Sequence, residues 1–364
     1  MECTQNIPLS NREFLINFNR KTSQSRIPVS GSIDLTHCCN LRCVHCYLGW
    51  QTDRGNEMKS GRIMSIIDEI TEAGCLFLLI TGGEPLLRND FPEVYRHAKK
   101  KGLLITVFTN GTKINNAVLD LFEELPPHVV EISLYGATAT TYERITGVPG
   151  SFDKCLYGIR QLLDRKINVR LKTILMTLND HEFFDIERMA EELGVKFRFD
   201  AAIFPYMNGD KSPIKLRVLP ETVVQKEFSN RERTIEWGKY FERARKQALS
   251  DKLYSCGAGL TSFHIDTYGN LQPCIMMNGI RYNLLEGSFL AGWNGVISRI
   301  RDREAGGAYK CNHCEKRHLC GFCPAFFRLE NGSEVISSDY LCTVGGHRFD
   351  ILNKIKLQGV QDAA

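Results

Sequence analysis

No stretch of this sequence reaches the roughly 20 consecutive apolar residues that a membrane-spanning helix requires. The N-terminus, Met1-Glu2-Cys3-Thr4-Gln5, is acidic and polar and has no secretory apolar region. Neither sign of charge dominates. The 46 Lys and Arg are interleaved with 42 Asp and Glu, which leaves no footprint for nucleic acid or for an acidic membrane surface. The one basic run, Lys99-Lys100-Lys101, precedes Gly102 and reads as a solvated helix end. Internal repeats and low-complexity tracts are also missing. Cysteine, by contrast, is plentiful, with 14 in 364 residues. Without an export signal, that number argues for metal ligation in a reducing compartment rather than for disulfides, and a cytoplasmic location is expected.

The cysteines are not scattered. Cys39, Cys43 and Cys46 form C-x3-C-x2-C directly after a strand-like stretch, Ser32-Ile33-Asp34-Leu35-Thr36. Three thiolates on one short loop can hold three irons of a 4Fe–4S cluster and leave the fourth iron open to a second molecule. Gly82-Gly83-Glu84-Pro85 follows a second apolar run, Leu76-Phe77-Leu78-Leu79-Ile80-Thr81. With the aromatic Tyr47 after the third cysteine, these motifs resemble the radical S-adenosylmethionine (radical SAM) superfamily. Cys38 would become the first ligand in a shifted register, but only Cys39 gives the family spacing. Cys3, Cys75 and Cys155 fall outside every pattern, and Cys75 reads as a small buried hydrophobe.

The resemblance implies that SAM binds the open iron through its amino and carboxylate groups. One-electron cleavage then yields a 5′-deoxyadenosyl radical that abstracts hydrogen from a substrate. It also implies that the turn Gly82, Gly83, Glu84 and Pro85 receives the methionyl ammonium, with Glu84 as an acceptor. Ser133 and Arg144 resemble a pair that clamps the SAM carboxylate, and Tyr47 is a candidate adenine-side contact. For Arg144 the competing reading is a surface ion pair, for Ser133 a strand-end hydroxyl and for Tyr47 plain core. Lys172, Arg198 and Asp200 lie near the ends of later strands and could line the substrate cavity, although no spacing singles them out. His37 and His45 flank the cluster loop and read as solvated or packed histidines. No catalytic acid or base is legible.

Apolar runs at 32–36, 76–81, 103–108, 129–134, 168–176 and 195–200 alternate with helical patterns near 58–73, 91–101, 115–124, 151–165 and 182–193. That rhythm implies an α/β fold of parallel βαβ units, with chemistry at the C-terminal strand ends. The resemblance narrows this to a partial (β/α)6 barrel spanning 31–202, after an N-terminal segment, 1–30. Residues 203–250 break the rhythm as a bridge, with a charged helix over 221–250. A cysteine-rich module follows at 251–345, and 346–364 carries a final amphipathic helix near 347–357 that packs back on the body.

The module holds Cys256, Cys274, Cys311, Cys314, Cys320, Cys323 and Cys342. Two C-x2-C pairs taken alone suggest structural zinc, but seven cysteines exceed the four one zinc can use. The pattern resembles a SPASM domain, an extension that holds two auxiliary 4Fe–4S clusters. The resemblance assigns Cys256, Cys274 and Cys323 to the first, and Cys311, Cys314, Cys320 and Cys342 to the second. Two departures stand out. Cys320 and Cys323 are separated by two residues where three are common, and Gly257-Ala258-Gly259-Leu260-Thr261 offers no extra ligand. The first auxiliary cluster is thus open to a non-cysteine or substrate ligand.

Most relatives of this architecture modify a ribosomally made peptide or protein by a crosslink, thioether or other oxidative change, and that substrate class is expected here. The short segment before Ser32 has no room for the fused peptide-recognition domain of many members, so a separate small recognition protein is expected. A flavodoxin or ferredoxin would supply electrons. An anaerobic sulfatase-maturing activity ranks second, because that group has an aspartate after the counterpart of Cys274 and this chain has Ile275. A small-molecule enzyme of haem or quinone cofactor assembly is a further alternative. An iron–sulfur electron carrier would not need the Gly82–Pro85 turn, and a zinc module would not respond to SAM.

Overall fold

The structure, a computed structural model, describes residues 11–49, 55–246, 251–306 and 309–361. Cys3 lies outside the described residues. The first half of the chain runs α1 (Asn11–Gln24), β1 (Ser30–Thr36), α2 (Ser60–Glu72), β2 (Phe77–Gly82), α3 (Phe91–Lys100), β3 (Leu104–Thr109) and α4 (Asn116–Glu124). It continues through β4 (Val129–Ser133), α5 (Ala139–Thr146), α6 (Ser151–Asp164), β5 (Val169–Ile174), α7 (Phe183–Glu192) and β6 (Lys196–Asp200). Then come α8 (Pro220–Phe228), α9 (Arg231–Ala244), β7 (Ser262–Ile265), β8 (Asn270–Gln272), β9 (Tyr282–Asn283), α10 (Phe289–Gly292), α11 (Pro324–Asn331) and α12 (Asp339–Gln361).

All six expected strands form, and β1 to β6 lie side by side in chain order with every pairing parallel. The helices cover one side of this sheet. In α2, for example, Ile63, Ile66, Ile67 and Ile70 fall at helical spacing on one face and are fully buried. Chemistry is left to the opposite, inward face and to the strand ends.

Four features were not legible in the periodicity. The α1 helix precedes the barrel, and the short polar α5 sits between β4 and α6. Thr138 caps α5 by accepting the Thr141 N–H, and the buried Glu182 accepts from Thr138 and Thr141 as well. The charged segment expected as one helix over 221–250 is two, because Asn230 ends α8's path and caps α9 through the Arg233 N–H. The terminal helix begins earlier than expected, at Asp339, which puts Cys342 in its first turn. It does pack on the body: Arg348 bonds both oxygens of Glu227 on α8, at 2.6 and 2.7 Å.

The cysteine-rich module shares the barrel's sheet. Its β7 pairs parallel with β1 on the side away from β2, and β8 and β9 extend the sheet antiparallel to nine strands. Phe263 of β7 lies so close to Gly31 of β1 that any Cβ there would overlap its ring. No described helix is long and apolar enough to cross a membrane.

Candidate functional site: a cysteine-walled cavity

A cavity of about 890 Å³ opens at the C-terminal ends of the strands. Its wall takes Cys39, Cys43 and Cys46 from the loop after β1, Gly82 and Gly83 from the turn after β2, and Phe108, Thr109 and Asn110 from β3 and its turn. Ser133, Tyr135 and Lys172 come from β4 and β5, and Cys274 comes from the cysteine-rich module.

The cysteine loop is fastened on three sides. The Gly83 N–H donates to Thr36 O at 2.7 Å, and the Glu84 N–H to Cys38 O at 2.9 Å. From the other side, the Arg42 and Val44 N–H groups donate to Thr146 O and Ile145 O of α5, at 2.7 and 3.0 Å. Glu57 accepts from the His37 N–H at 2.8 Å and from Thr36 Oγ1 at 2.7 Å. Such close approach explains the paired glycines. A Cβ on Gly82 would overlap Thr36 O, one on Gly83 would overlap Cys38 O, and Gly82 has φ +126°.

Glu84 itself turns away from the cavity. Its fully buried carboxylate accepts from the Leu86 N–H, the Thr109 hydroxyl and the Asn110 N–H, at 3.1, 2.9 and 2.8 Å. Burial pushes its pKa up to about 7 against those donors. Pro85 is buried at the start of a short 3-10 turn. Tyr47 lines the cavity, with its ring 5.6 Å from that of Phe204. Ser133 also lines it and bonds Tyr135. Arg144 is exposed in the last turn of α5 and is not part of the wall.

Burial pushes all three loop thiols up, Cys39 to about 12; Cys39 and Cys43 also feel the charge of neighbouring loop thiols, and Cys46 feels Asp34. Desolvated thiols of this kind stay protonated unless a cation compensates them, the condition a metal satisfies. Cys39 Sγ already has N–H donors at 3.4 Å, from Leu41, and at 3.8 Å, from the Asn110 side chain. Among the described residues no three His, Cys, Asp or Glu converge on one single-ion position. In a 4Fe–4S cluster each thiolate takes its own iron, so a donor set spread along a loop fits it.

Away from this loop seven further cysteines collect in two groups. Cys274 feels Cys323 and Cys256, and Cys323 feels Cys256. Cys320 feels Cys342, Cys311 and Cys314. Cys323 stands at the N-cap of α11, where its sulfur accepts the Phe326 N–H at 3.4 Å, a position that favours a thiolate. Cys38, Cys75 and Cys155 are buried elsewhere and join neither group.

Comparison with known proteins agrees with this geometry. Residues 33–193 match the model of the radical SAM superfamily. An AdoMet-dependent heme synthase of Methanosarcina barkeri is 28% identical over 315 residues, which cover 80% of this chain and 90% of that protein. The mycofactocin maturase MftC of Mycobacterium tuberculosis is 28% identical over 312 residues, covering 82% of this chain and 78% of MftC. This chain carries a radical SAM domain. The crystal structure of Streptococcus suis SuiB bound to precursor peptide SuiA has the same fold, with a TM-score of 0.70 at 18% identity over 94% of this chain and 84% of SuiB.

A radical SAM domain implies SAM and a 4Fe–4S cluster. Several wall residues had no signal in the sequence. Asn110 bonds Asn40 and Thr112 and reaches Cys39, yet in sequence it is only part of a turn. His45 has its Nδ1 buried with no hydrogen-bond partner, and its ring stands edge-on to Tyr135 at 4.6 Å. Burial, and then the neighbouring Lys172 ammonium, hold it neutral with a pKa of about 4. Ser32 of β1 bonds His264 of β7 at 2.9 Å, a pairing made only when the two strands meet.

Proposed function

We propose that this radical SAM enzyme oxidatively modifies a ribosomally made peptide or protein, and that its C-terminal module is a SPASM domain. One observation carries this reading: the Cys39–Cys43–Cys46 loop and Cys274 stand on the wall of the same cavity. A substrate held there has a hydrogen-abstracting centre on one side and an electron acceptor on the other.

Cys39, Cys43 and Cys46 would hold the SAM-binding cluster. Cys256, Cys274 and Cys323 would hold one auxiliary cluster, and Cys311, Cys314, Cys320 and Cys342 the other. When bound, SAM and its cluster supply one-electron hydrogen abstraction. The chain's own residues position and shield. Gly82 and Gly83 let the β2 turn close on the cysteine loop, and Tyr47 and Ser133 face the cavity where SAM would lie. Glu84 acts through the turn it ties rather than by reaching the cofactor. A flavodoxin or ferredoxin would deliver electrons, and a small separate protein would present the peptide.

The sulfatase-maturing alternative needs a carboxylate base near Cys274. None of the described residues lining the cavity is Asp or Glu, which weighs against it. The small-molecule alternative is favoured by the 28% identity to a heme synthase over 90% of that protein's length. Anaerobic incubation of the loaded enzyme with SAM, reductant and peptides encoded beside its gene tests the choice. Loss of hydrogen mass from a peptide supports the maturase. A tetrapyrrole changed instead, with the peptides untouched, would transfer the chain to cofactor assembly.

A further inference from the structure

The wall of the cavity carries two fixed cations, Arg42 and Lys172, and two imidazoles, His37 and His45, with no carboxylate among its described residues. Apart from the cysteines proposed as cluster ligands, the charge-bearing side chains of this concave wall are basic, and a fixed positive charge in a partly desolvated site attracts an anion.

Lys172 is the cation placed inside the barrel. It is the fourth residue of β5 and faces inward, with Ser133 of β4 and Arg198 of β6 in register on either side. Its ammonium sits 3.6 Å from the centre of the Phe108 ring. Among the described residues Nζ makes no hydrogen bond and no ion pair. The nearby acids are committed elsewhere. Glu131 binds Arg198, through Nε at 2.8 Å, and also faces Arg170 at 3.9 Å. Asp200 accepts the Ala202 N–H at 2.8 Å.

Nothing in the fold requires an ammonium at this position. A methyl-terminated side chain would pack on Phe108 as well and would escape the desolvation cost, which already pulls the Lys172 pKa down to about 8. Glu131 and Asp200 attract the ammonium only from a distance and leave its pKa lowered, so an anion brought into the cavity against Nζ would offset the rest of the cost.

We propose that Lys172 is the recognition group for a carboxylate of the substrate: an acidic side chain or C-terminus of a peptide, or the propionate of a small molecule. This rests on the proposed function, which places the substrate in this cavity. The SAM carboxylate is the rival source, but the family resemblance assigns that group to the open iron of the cluster that Cys39, Cys43 and Cys46 would hold. A cavity of about 890 Å³ lies at the upper end of ordinary ligand sites and leaves room for a second molecule.

The test labels Lys172 in the reconstituted holoenzyme with an amine-acylating reagent near pH 8 and reads the modified peptide by mass spectrometry. Three probes are added in turn: glutarate, its uncharged isostere glutaramide, and SAM. Glutarate at about ten times its dissociation constant should slow labelling about tenfold, while glutaramide and SAM leave the rate unchanged. Calorimetry should find glutarate binding kept in Lys172→Arg and lost in Lys172→Met. Protection by SAM alone would assign Lys172 to the cofactor and overturn the proposal. Protection by both glutarate and glutaramide, or by neither, would overturn it too. Whether the wild-type protein forms 5′-deoxyadenosine is read separately, so failure of the proposed function cannot be mistaken for failure of this subsite.

Discussion

The Glu84 carboxylate accepts the backbone N–H of Asn110 at 2.8 Å and so ties the turn after β2 to the turn after β3. Both its oxygens are taken, one by Leu86 and Thr109 and the other by Thr109 and Asn110. Glu84→Gln keeps the shape but turns an NH2 group toward one of these donors. A buried donor left without an acceptor costs about 1–3 kcal/mol. The variant should melt at lower temperature than the wild type by that order and bind SAM more weakly, because Asn110 no longer holds Cys39. A variant with unchanged melting and unchanged SAM affinity would contradict this role.

Gly83→Ala should be more severe. Its methyl would overlap the Cys38 carbonyl, a backbone atom that cannot move without shifting the cysteine loop. After anaerobic reconstitution the variant should lose about four irons per chain, one cluster's worth, while its fold persists by circular dichroism. A full iron complement with normal SAM cleavage would show that the loop can yield.

The strands were legible because each is an apolar run of five or more residues with a helical pattern behind it. All six therefore fall within one residue of their expected ends, apart from two residues at the start of β1 and two at the close of β5. What escaped is local and polar, or distant in sequence. The α5 helix is short and held by Thr138 and Glu182, so no apolar period announces it. The pairing of β7 with β1 joins residues more than 200 positions apart, and with it come the Ser32–His264 contact and Cys274's place on the cavity wall. The candidate cysteine ligands came from their spacing together with the family resemblance that the spacing carries. Lys172 was legible as a residue near a strand end, but its unpaired state required the partners of Glu131 to be seen.

Lys172 also makes a pH prediction. Burial lowers its pKa from 10.5 to about 8, so its reactivity toward acylating reagents should rise with a midpoint near pH 8 and then level off. Because the folded state releases this proton more readily than the unfolded one, Lys172 makes stability rise with pH between about 8 and 10.5. Labelling that keeps climbing toward pH 10.5, as for an ordinary lysine, would contradict the burial.

Arg217 fastens the bridging segment to the cysteine-rich module. It bonds both oxygens of Glu330 on α11, at 3.1 and 2.9 Å, and also donates to Ile203 O. Both partners are nearly buried, at 8% and 13% exposure. Arg217→Ala leaves Glu330 charged and unpaired, at a cost of about 3–5 kcal/mol. Thermal melting should drop accordingly, and Arg217→Ala with Glu330→Gln should recover part of the loss. Additive losses in the double variant would show that the pair is not coupled.

The account stands or falls on the metal content and reactivity of the intact chain. The protein should be reconstituted anaerobically with iron and sulfide, assayed for both, and given SAM with a strong reductant. The account predicts about 12 iron per chain, four for each of three clusters, and 5′-deoxyadenosine that disappears when Cys39, Cys43 and Cys46 are changed to alanine. About four iron with zinc filling the remaining cysteines, or a fully loaded protein that forms no 5′-deoxyadenosine with any substrate or without one, would contradict it.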